Sequence, residues 1–173
     1  TASSDDSVRI FNAADGTLVA TITNADADTT IRDAYSVAFS PDGSQLYTGH
    51  SAGLVRVWDV AAGATEEGVG TQVTTIDFTE EGSNGTIDDI VFSPDGSQFI
   101  VLYDYMPTAV NLLNADNTVV ANTVGHNAYV YAAEFSPSSD TLSFSDAEAL
   151  LYLWDTVAAE EITLNTSVFD GPT

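Results

Sequence analysis

One pentapeptide of this sequence has the residue types of a nucleophilic serine site. Residues 49–53 read Gly-His-Ser-Ala-Gly, which fits the G-x-S-x-G pattern of hydrolases that attack a carbonyl group through the serine hydroxyl. That chemistry requires the serine on a sharp turn from a strand into a helix, with an oxyanion hole nearby. Here strand-like runs lie on both sides of Ser51, and no helical period follows. We therefore interpret the pentapeptide as a turn between two strands.

A second pattern consists of oxygen-bearing side chains at alternate positions. Asn24, Asp26 and Asp28 are spaced like the first ligands of a calcium-binding loop. The pattern then fails, because Thr29 occupies the place of the usual glycine and Tyr35 that of the bidentate glutamate. The interpretation we favour is a solvated acidic loop, and these three residues remain a secondary metal-site hypothesis.

Adjacent acidic residues are the third candidate for chemistry. Two carboxylates that converge on one sugar can hydrolyse a glycoside, but adjacent residues in loops do not converge in this way. The two histidines of the chain belong to different repeats and lack the spacing of metal ligands. The sequence thus predicts no catalytic residue, no cofactor and no enzyme. The acidic pairs are Glu66–Glu67, Glu80–Glu81, Asp88–Asp89 and Glu160–Glu161.

An internal repeat is the strongest signal for the fold. The triplet Phe-Ser-Pro begins at Phe39, Phe92 and Phe135, with separations of 53 and 43 residues. Two of the repeats end in Trp-Asp, at Trp58 and Trp154, and residues 3–12 match only the second half of the phrase. This period is typical of a blade made of four antiparallel strands.

Each repeat divides into short apolar runs that are separated by turn residues. In the turn Pro41-Asp42-Gly43-Ser44, proline presets φ and glycine can adopt a positive φ. The prediction is an all-β chain of three complete four-stranded blades plus a two-strand hairpin. The predicted strands cover residues 8–11, 18–23, 35–40, 45–49, 54–58, 73–78, 88–92, 98–103, 109–113, 118–123, 129–135, 141–145, 150–154 and 161–166.

These turn and strand motifs resemble the WD-repeat family of β-propellers. The family phrase contains a Gly-His pair, an F-S-P-D-G turn and a V-R-L-W-D strand, and the resemblance covers nearly the whole chain. It implies blades of four antiparallel strands around a central channel. It also implies a scaffold role, with partners on the faces of the disc and no chemistry of its own.

The last repeat departs from the family at one member of its hydrogen-bonded network. In the family, a histidine, a serine or threonine, an aspartate and the tryptophan form this network inside each blade. The counterparts here are His126, Phe144, Glu148 and Trp154, so the network is interrupted at Phe144.

The second repeat departs in a different way. Thr48 and Trp58 are retained, but Ala52 replaces the aspartate and no Gly-His pair precedes the first strand. His50 is not the histidine of the family's Gly-His pair, because it follows the second strand rather than preceding the first. We expect the stability of the blades to depend mainly on apolar packing between sheets.

The number of blades is smaller than that of a closed ring. Closed propellers have about four to eight blades, and the WD-repeat family commonly has seven, so the chain resembles half of a seven-bladed disc. We expect it to be a segment of a longer chain or to close by self-association. Residues 1–173 would form one partial propeller, with the units 1–24, 25–79, 80–124 and 125–173.

The resemblance also indicates a contact surface. One face of a propeller contains the loop before each first strand and the turn after each second strand. Tyrosine and methionine on that face are adaptable contact residues, although they could instead cap the blade ends and pack locally. The predicted partner-binding residues are Arg32, Tyr35, His50, Tyr103, Tyr105, Met106, Asn127 and Tyr129.

The charge of the chain restricts its partners. It has 26 acidic residues, three arginines and no lysine among 173 residues, for a net charge of −23. Phosphate-mediated binding of nucleic acid is therefore excluded, and anionic lipid surfaces are repelled. No apolar run is long enough to insert into a membrane. We expect other protein subunits as partners, with basic or cation-bridged surfaces.

Two further functions stay open at this point. An extracellular or salt-adapted structural protein would have a similarly acidic, lysine-poor surface, and its acidic loops could bind Ca²⁺. A propeller hydrolase would need convergent acid and base groups lining the channel, and no such set can be chosen from the sequence. The cellular location is not predicted.

Overall fold

The computed structural model describes an all-β protein. In the described residues, the regular structure consists of strands and one short 3₁₀ turn at Ser51–Gly53. The structure describes residue 2 and residues 7–23, 33–60, 71–78, 85–103, 110–122, 129–146 and 151–162.

The strands form one hairpin and three four-stranded antiparallel sheets. Each four-stranded sheet follows the chain order from its first to its last strand, as in a propeller blade. The hairpin contains β1 (Ser7–Phe11) and β2 (Leu18–Thr23). The second blade contains β3 (Ala34–Phe39), β4 (Gln45–His50), β5 (Leu54–Asp59) and β6 (Thr71–Asp77). The third blade contains β7 (Ile87–Phe92), β8 (Gln98–Tyr103), β9 (Val110–Asn114) and β10 (Val119–Asn122). The fourth blade contains β11 (Val130–Phe135), β12 (Thr141–Asp146), β13 (Leu151–Asp155) and β14 (Glu160–Ile162).

The predicted blade architecture is confirmed, and most strand ends agree within two residues. The second strand of the second repeat extends to His50, one residue beyond the prediction. The last strand ends earlier in the described part, at Ile162, and residues 163–166 of the predicted strand lie outside the described residues.

The repeated turns are stabilised by one aspartate each. Asp42 accepts hydrogen bonds from Ser40 Oγ at 2.6 Å and from the Ser44 backbone N–H at 3.0 Å. Asp95 forms the same two bonds in the third blade, and the Ser97 backbone N–H is the main reason that its pKa falls to about 2. These bonds explain why the Ser-Pro-Asp-Gly-Ser phrase recurs between the first and second strands.

Consecutive sheets pack against each other through alternate residues of their strands. The interface between the second and third blades is a buried cluster that includes Tyr47, Val57, Phe99 and Leu113. The rings of Tyr47 and Phe99 meet edge to face, with centroids 5.2 Å apart. A second buried cluster joins the third and fourth blades, and a third joins the hairpin to the second blade. The apolar core thus lies between the sheets, as a propeller requires.

The second and third blades approach each other closely at Gly49. A β-carbon at this position would lie 2.5 Å from Ile87 Cγ2 and closer still to Ser36 Oγ. Ser36 Oγ donates a hydrogen bond of 3.0 Å to the Ile87 carbonyl, so the first strands of the two blades are joined here. Only glycine fits between these groups without movement of the backbone.

Candidate functional site

Each first strand of a blade contains a β-bulge at its start. In β3, β7 and β11, one residue is skipped in the pairing with the second strand, and these residues are Tyr35, Asp88 and Tyr131. All three lie four positions before the phenylalanine of the repeated turn motif. A bulge leaves its extra residue out of the ladder and redirects its side chain. The repeat therefore presents one side chain at the same place on every complete blade.

The bulged residues and Tyr129 lie at one common edge of the blades, which we call the bulge edge. The hydroxyl of Tyr129 donates a short hydrogen bond to the Asp88 carboxylate, which joins the fourth blade to the third. The Ser36–Ile87 bond joins the second blade to the third at the same end of the first strands. The bulge edge is thus a continuous feature of three neighbouring blades.

Three tyrosines of the bulge edge are accessible to a partner. Tyr131 is 68% exposed, Tyr35 is 50% exposed and Tyr129 is 36% exposed. The rings of Tyr129 and Tyr131 are 5.4 Å apart between centroids and inclined by 58°. Tyr35 donates a hydrogen bond of 3.1 Å to the Asp33 carboxylate. Large aromatic side chains that remain accessible beside carboxylates are well suited to a protein contact.

The structure separates the residues that were predicted to bind a partner. Tyr35 and Tyr129 lie on the bulge edge, whereas His50 and Tyr103 are buried, with 5% and 2% exposure. Tyr103 packs on Phe78, and its hydroxyl accepts a hydrogen bond of 2.5 Å from Asn111 Nδ2. The other predicted contact residues, Arg32, Tyr105, Met106 and Asn127, lie outside the described residues.

Sequence reasoning missed two residues of the bulge edge, Asp88 and Tyr131. Both could have been found by aligning the repeats on the phenylalanine of the turn motif, because both then fall in register with Tyr35. Their accessibility depends on the bulge, which is a property of strand pairing and has no signature of its own in these residues.

His50 belongs to a buried hydrogen-bonded chain in the second blade. Trp58 Nε1 donates to Thr48 Oγ1 at 2.9 Å, and Thr48 Oγ1 lies 2.8 Å from His50 Nε2. His50 Nδ1 lies 3.2 Å from the Asp33 carbonyl, which can only accept, so Nδ1 has the proton and Nε2 accepts from the threonine. His50 thus joins Thr48 and Trp58 in one network, although its position at the end of the second strand differs from that of the family's Gly-His pair.

The hydrogen-bonded chain requires a neutral histidine. Burial lowers the pKa of His50 to about 4, and the positive charge of Arg56 contributes to the shift, while the bond to the Asp33 carbonyl opposes it. Protonation at Nε2 would place a second donor against the threonine hydroxyl. The histidine is thus a structural residue at neutral pH.

In the described part of the fourth blade, Phe144 takes the place of the threonine, so the corresponding hydrogen bonds are absent there. Phe144 stacks on Tyr152 with ring centroids 5.0 Å apart, and within the described residues the buried Trp154 Nε1 atom has no hydrogen-bond partner. The family counterparts His126 and Glu148 lie outside the described residues.

The described residues do not assemble the alternative sites. Ser51 lies in the 3₁₀ turn between β4 and β5, so a strand rather than a helix follows it. Within the described ranges, no group of three or more histidine, aspartate or glutamate residues could hold a metal ion. Asn24, Asp26 and Asp28 lie outside these ranges. A helix with the length and apolar character to cross a membrane is absent from the described part of the chain.

Comparison with known proteins agrees with this architecture of four-stranded blades. Residues 16–59 match the family described as WD domain, G-beta repeat. The WD repeat and SOCS box-containing protein 1 of Xenopus tropicalis is 32% identical over 118 residues. The chain belongs to the WD-repeat family. The human form of that relative is 30% identical over 118 residues, and Transducin beta-like protein 3 of Mus musculus is 25% identical over 137 residues.

The matches cover most of this chain but a small part of each relative. The two WD repeat and SOCS box-containing proteins match 68% of this chain and 25% of their own length. The transducin beta-like protein matches 79% of this chain and 16% of its own length. WD-repeat proteins are generally non-catalytic scaffolds for protein interactions.

Proposed function

We propose that this WD-repeat chain is a non-catalytic scaffold that binds a basic protein partner at the bulge edge, as one part of a larger assembly. The observation behind this proposal is the repeated bulge, which directs Tyr35 and Tyr131 out of the ladder on two blades with Asp88 between them. A feature that is repeated on each blade and is not needed for the apolar core is well explained by a contact function.

The charge of the chain supports a basic partner. With a net charge of −23, the protein attracts cationic surfaces over distances of about a Debye length, roughly 8 Å at physiological ionic strength. Asp33 and Asp88 place two of the carboxylates at the bulge edge itself. A partner with basic residues, or one bridged by cations, would complement both the long-range field and the local contacts.

The blade count supports a larger assembly. The described residues form three complete blades and one hairpin, which is fewer than the four to eight blades or so of closed propellers. We propose that residues 1–173 are one partial propeller, divided into units 1–24, 25–79, 80–124 and 125–173. Further blades, from a longer chain or from self-association, would complete a disc of about seven.

A panel of synthetic peptides tests the partner class. Basic, neutral and acidic peptides of equal length are titrated against the protein by fluorescence anisotropy, at low and at high salt. We expect binding of the basic peptides alone, with an affinity that decreases as the salt concentration rises. Simultaneous replacement of Tyr35, Tyr129 and Tyr131 by alanine should weaken it by about tenfold or more.

Phe39→Ala is the matched control for this panel. Phe39 lies at the other end of β3, is 49% exposed and is also aromatic. Its replacement should leave peptide affinity unchanged, and thermal unfolding should show that both variants are folded. The proposal is contradicted if the triple variant binds basic peptides as well as the unaltered protein does.

A further inference from the structure

The two tyrosines of the fourth blade form an accessible aromatic pair, which we call the notch. The rings of Tyr129 and Tyr131 are in tilted contact, with centroids 5.4 Å apart and planes inclined by 58°. Tyr131 is the more exposed ring, at 68%. A cation stacked on the accessible face of Tyr131 would lie within about 6 Å of that ring centroid, which is the range for a cation–π contact.

The notch is held in position by two blades. Tyr131 is the bulged residue of β11, and Tyr129 precedes that strand by one residue. The hydroxyl of Tyr129 is bonded to Asp88, which is the bulged residue of β7 in the third blade. The orientation of the Tyr129 ring is therefore set by the third blade, and that of Tyr131 by the fourth.

The electrostatic character of the notch favours a cation. A phenol that donates a hydrogen bond to a carboxylate has more electron density in its ring, which strengthens attraction of a positive charge to the ring face. The Asp88 carboxylate adds a full negative charge beside the notch. The chain as a whole has 26 acidic residues against three arginines.

We infer that Tyr129, Tyr131 and Asp88 form a subsite for one arginine side chain of the basic partner. This inference rests on the proposed function and specifies the contact that a partner makes at the bulge edge. Arginine fits better than lysine, because a guanidinium is planar, is weakly hydrated and can stack on a tyrosine while it donates to a carboxylate. A lysine ammonium can make the charge contact but not the stacked one.

The first experiment uses a single side chain as the probe. N-acetyl-arginine amide is titrated into the intact protein, and the ring protons of Tyr129 and Tyr131 are followed by NMR. The lysine and citrulline analogues are titrated in parallel, since citrulline has nearly the shape of arginine without its charge. We expect saturable shifts of both rings with arginine, about tenfold weaker binding of lysine and no shift with citrulline.

Substitutions at Tyr131 test whether arginine binding depends on an aromatic ring face or only on apolar surface area. Tyr131→Phe keeps a ring and should bind arginine within about twofold of the unaltered protein, whereas Tyr131→Leu should bind about tenfold more weakly. Phe39→Leu, at the far end of the first strand of the second blade, is the matched control and should leave the shifts of Tyr129 and Tyr131 unchanged. Neither Tyr131 variant removes a buried side chain, and thermal unfolding checks that each is folded.

The outcomes distinguish this subsite from the broader scaffold proposal. Equal shifts with citrulline and arginine, or equal binding by Tyr131→Leu and Tyr131→Phe, would overturn the subsite. If the peptide panel still requires the tyrosines, the scaffold proposal survives that result. If arginine binds in the notch while no basic peptide depends on the tyrosines, the scaffold proposal fails and the subsite stands as a small-molecule contact.

Discussion

The second and fourth blades have the same strand order but fill one equivalent interior position with different chemistry. Thr48 of β4 pairs with Arg56, and at the same place Phe144 of β12 pairs with Tyr152. The threonine links Trp58 to His50 through hydrogen bonds, while the phenylalanine stacks on Tyr152 and leaves Trp154 Nε1 without an acceptor among the described residues.

The difference shows that blade geometry does not depend on the polar network. Both blades retain the pairing of the second and third strands, with Leu46 opposite Trp58 and Leu142 opposite Trp154. Turn hydrogen bonds and packing between sheets are common to both and are sufficient for this register. The network makes the stability of the second blade sensitive to loss of the Thr48 hydroxyl and to pH. The fourth blade should lack this sensitivity.

The largest expected difference between the blades arises at Gly49 and its equivalent, Ser145. Gly49→Ala forces a β-carbon against Ile87 and disturbs the bond from Ser36, so we expect a loss of about 3 kcal/mol in the free energy of unfolding. Ser145→Ala should change it by less than about 0.5 kcal/mol, because it only removes a hydroxyl from a half-buried position. Urea denaturation measures both values, and equal losses would contradict the close packing at Gly49.

Protonation of His50 should weaken the second blade over an acidic range. The folded pKa of about 4 lies below the unfolded value of roughly 6.5, so the histidine's contribution is complete above pH 6.5 and is lost as pH falls towards 4. We expect about 3 kcal/mol of this loss, measured as the stability of the unaltered protein relative to His50→Gln at each pH.

The comparison with His50→Gln is the control for the many carboxylates, because these titrate in both proteins and cancel in the difference. A difference that stays constant between about pH 7 and about pH 4 would contradict the buried neutral histidine.

Removal of the threonine hydroxyl should have a somewhat smaller effect. Thr48→Val leaves the buried Trp58 N–H and His50 Nε2 without their shared partner, and we expect a loss of about 2 kcal/mol. Thr48→Ser keeps the hydroxyl and serves as the matched variant, with a loss of about 1 kcal/mol from the missing methyl group. If valine is tolerated as well as serine, the hydrogen-bonded chain does not stabilise the blade.

The smallest effect is expected at the tryptophan of the fourth blade. Trp154→Phe removes a buried N–H group that has no acceptor within the described residues, which is favourable. This gain partly offsets the apolar ring area that is lost. The free energy of unfolding should therefore change by no more than about 1 kcal/mol. The same substitution at Trp58 should cost about 2 kcal/mol, because it breaks a 2.9 Å bond to Thr48. Thermal unfolding of the two variants side by side tests the comparison, which fails if Trp154→Phe is the more damaging.

The sequence predicts the blades well because their signals are local. The Ser-Pro-Asp-Gly-Ser turns position the first and second strands, and the aspartate bonds that recur at Asp42 and Asp95 show why the phrase repeats. The role of His50 was missed because it depends on a one-residue extension of β4. Alternation along that strand places Thr48 and His50 on the same side, and that side is buried.

The contact surface is less predictable because it arises from pairing between strands. A bulge at Tyr35 or Tyr131 follows from the register of two strands and is not encoded by either residue alone. Tyr103 was assigned to the surface from its place after the second strand, yet it packs on Phe78 of the neighbouring blade. Such contacts between blades become visible only when the sheets are stacked.

On each first strand, the bulge distinguishes residues that are constrained by folding from one residue that is available for recognition. Ladder residues of the first strands such as Ile90 and Val130 belong to the apolar clusters. Tyr35, Asp88 and Tyr131 are excluded from the ladder. Mutation at Tyr35 and Tyr131 can therefore diversify recognition with little effect on folding of the blades, whereas Asp88 also joins the third blade to the fourth. A designer could randomise the two tyrosine positions as a compact library on an otherwise constant framework.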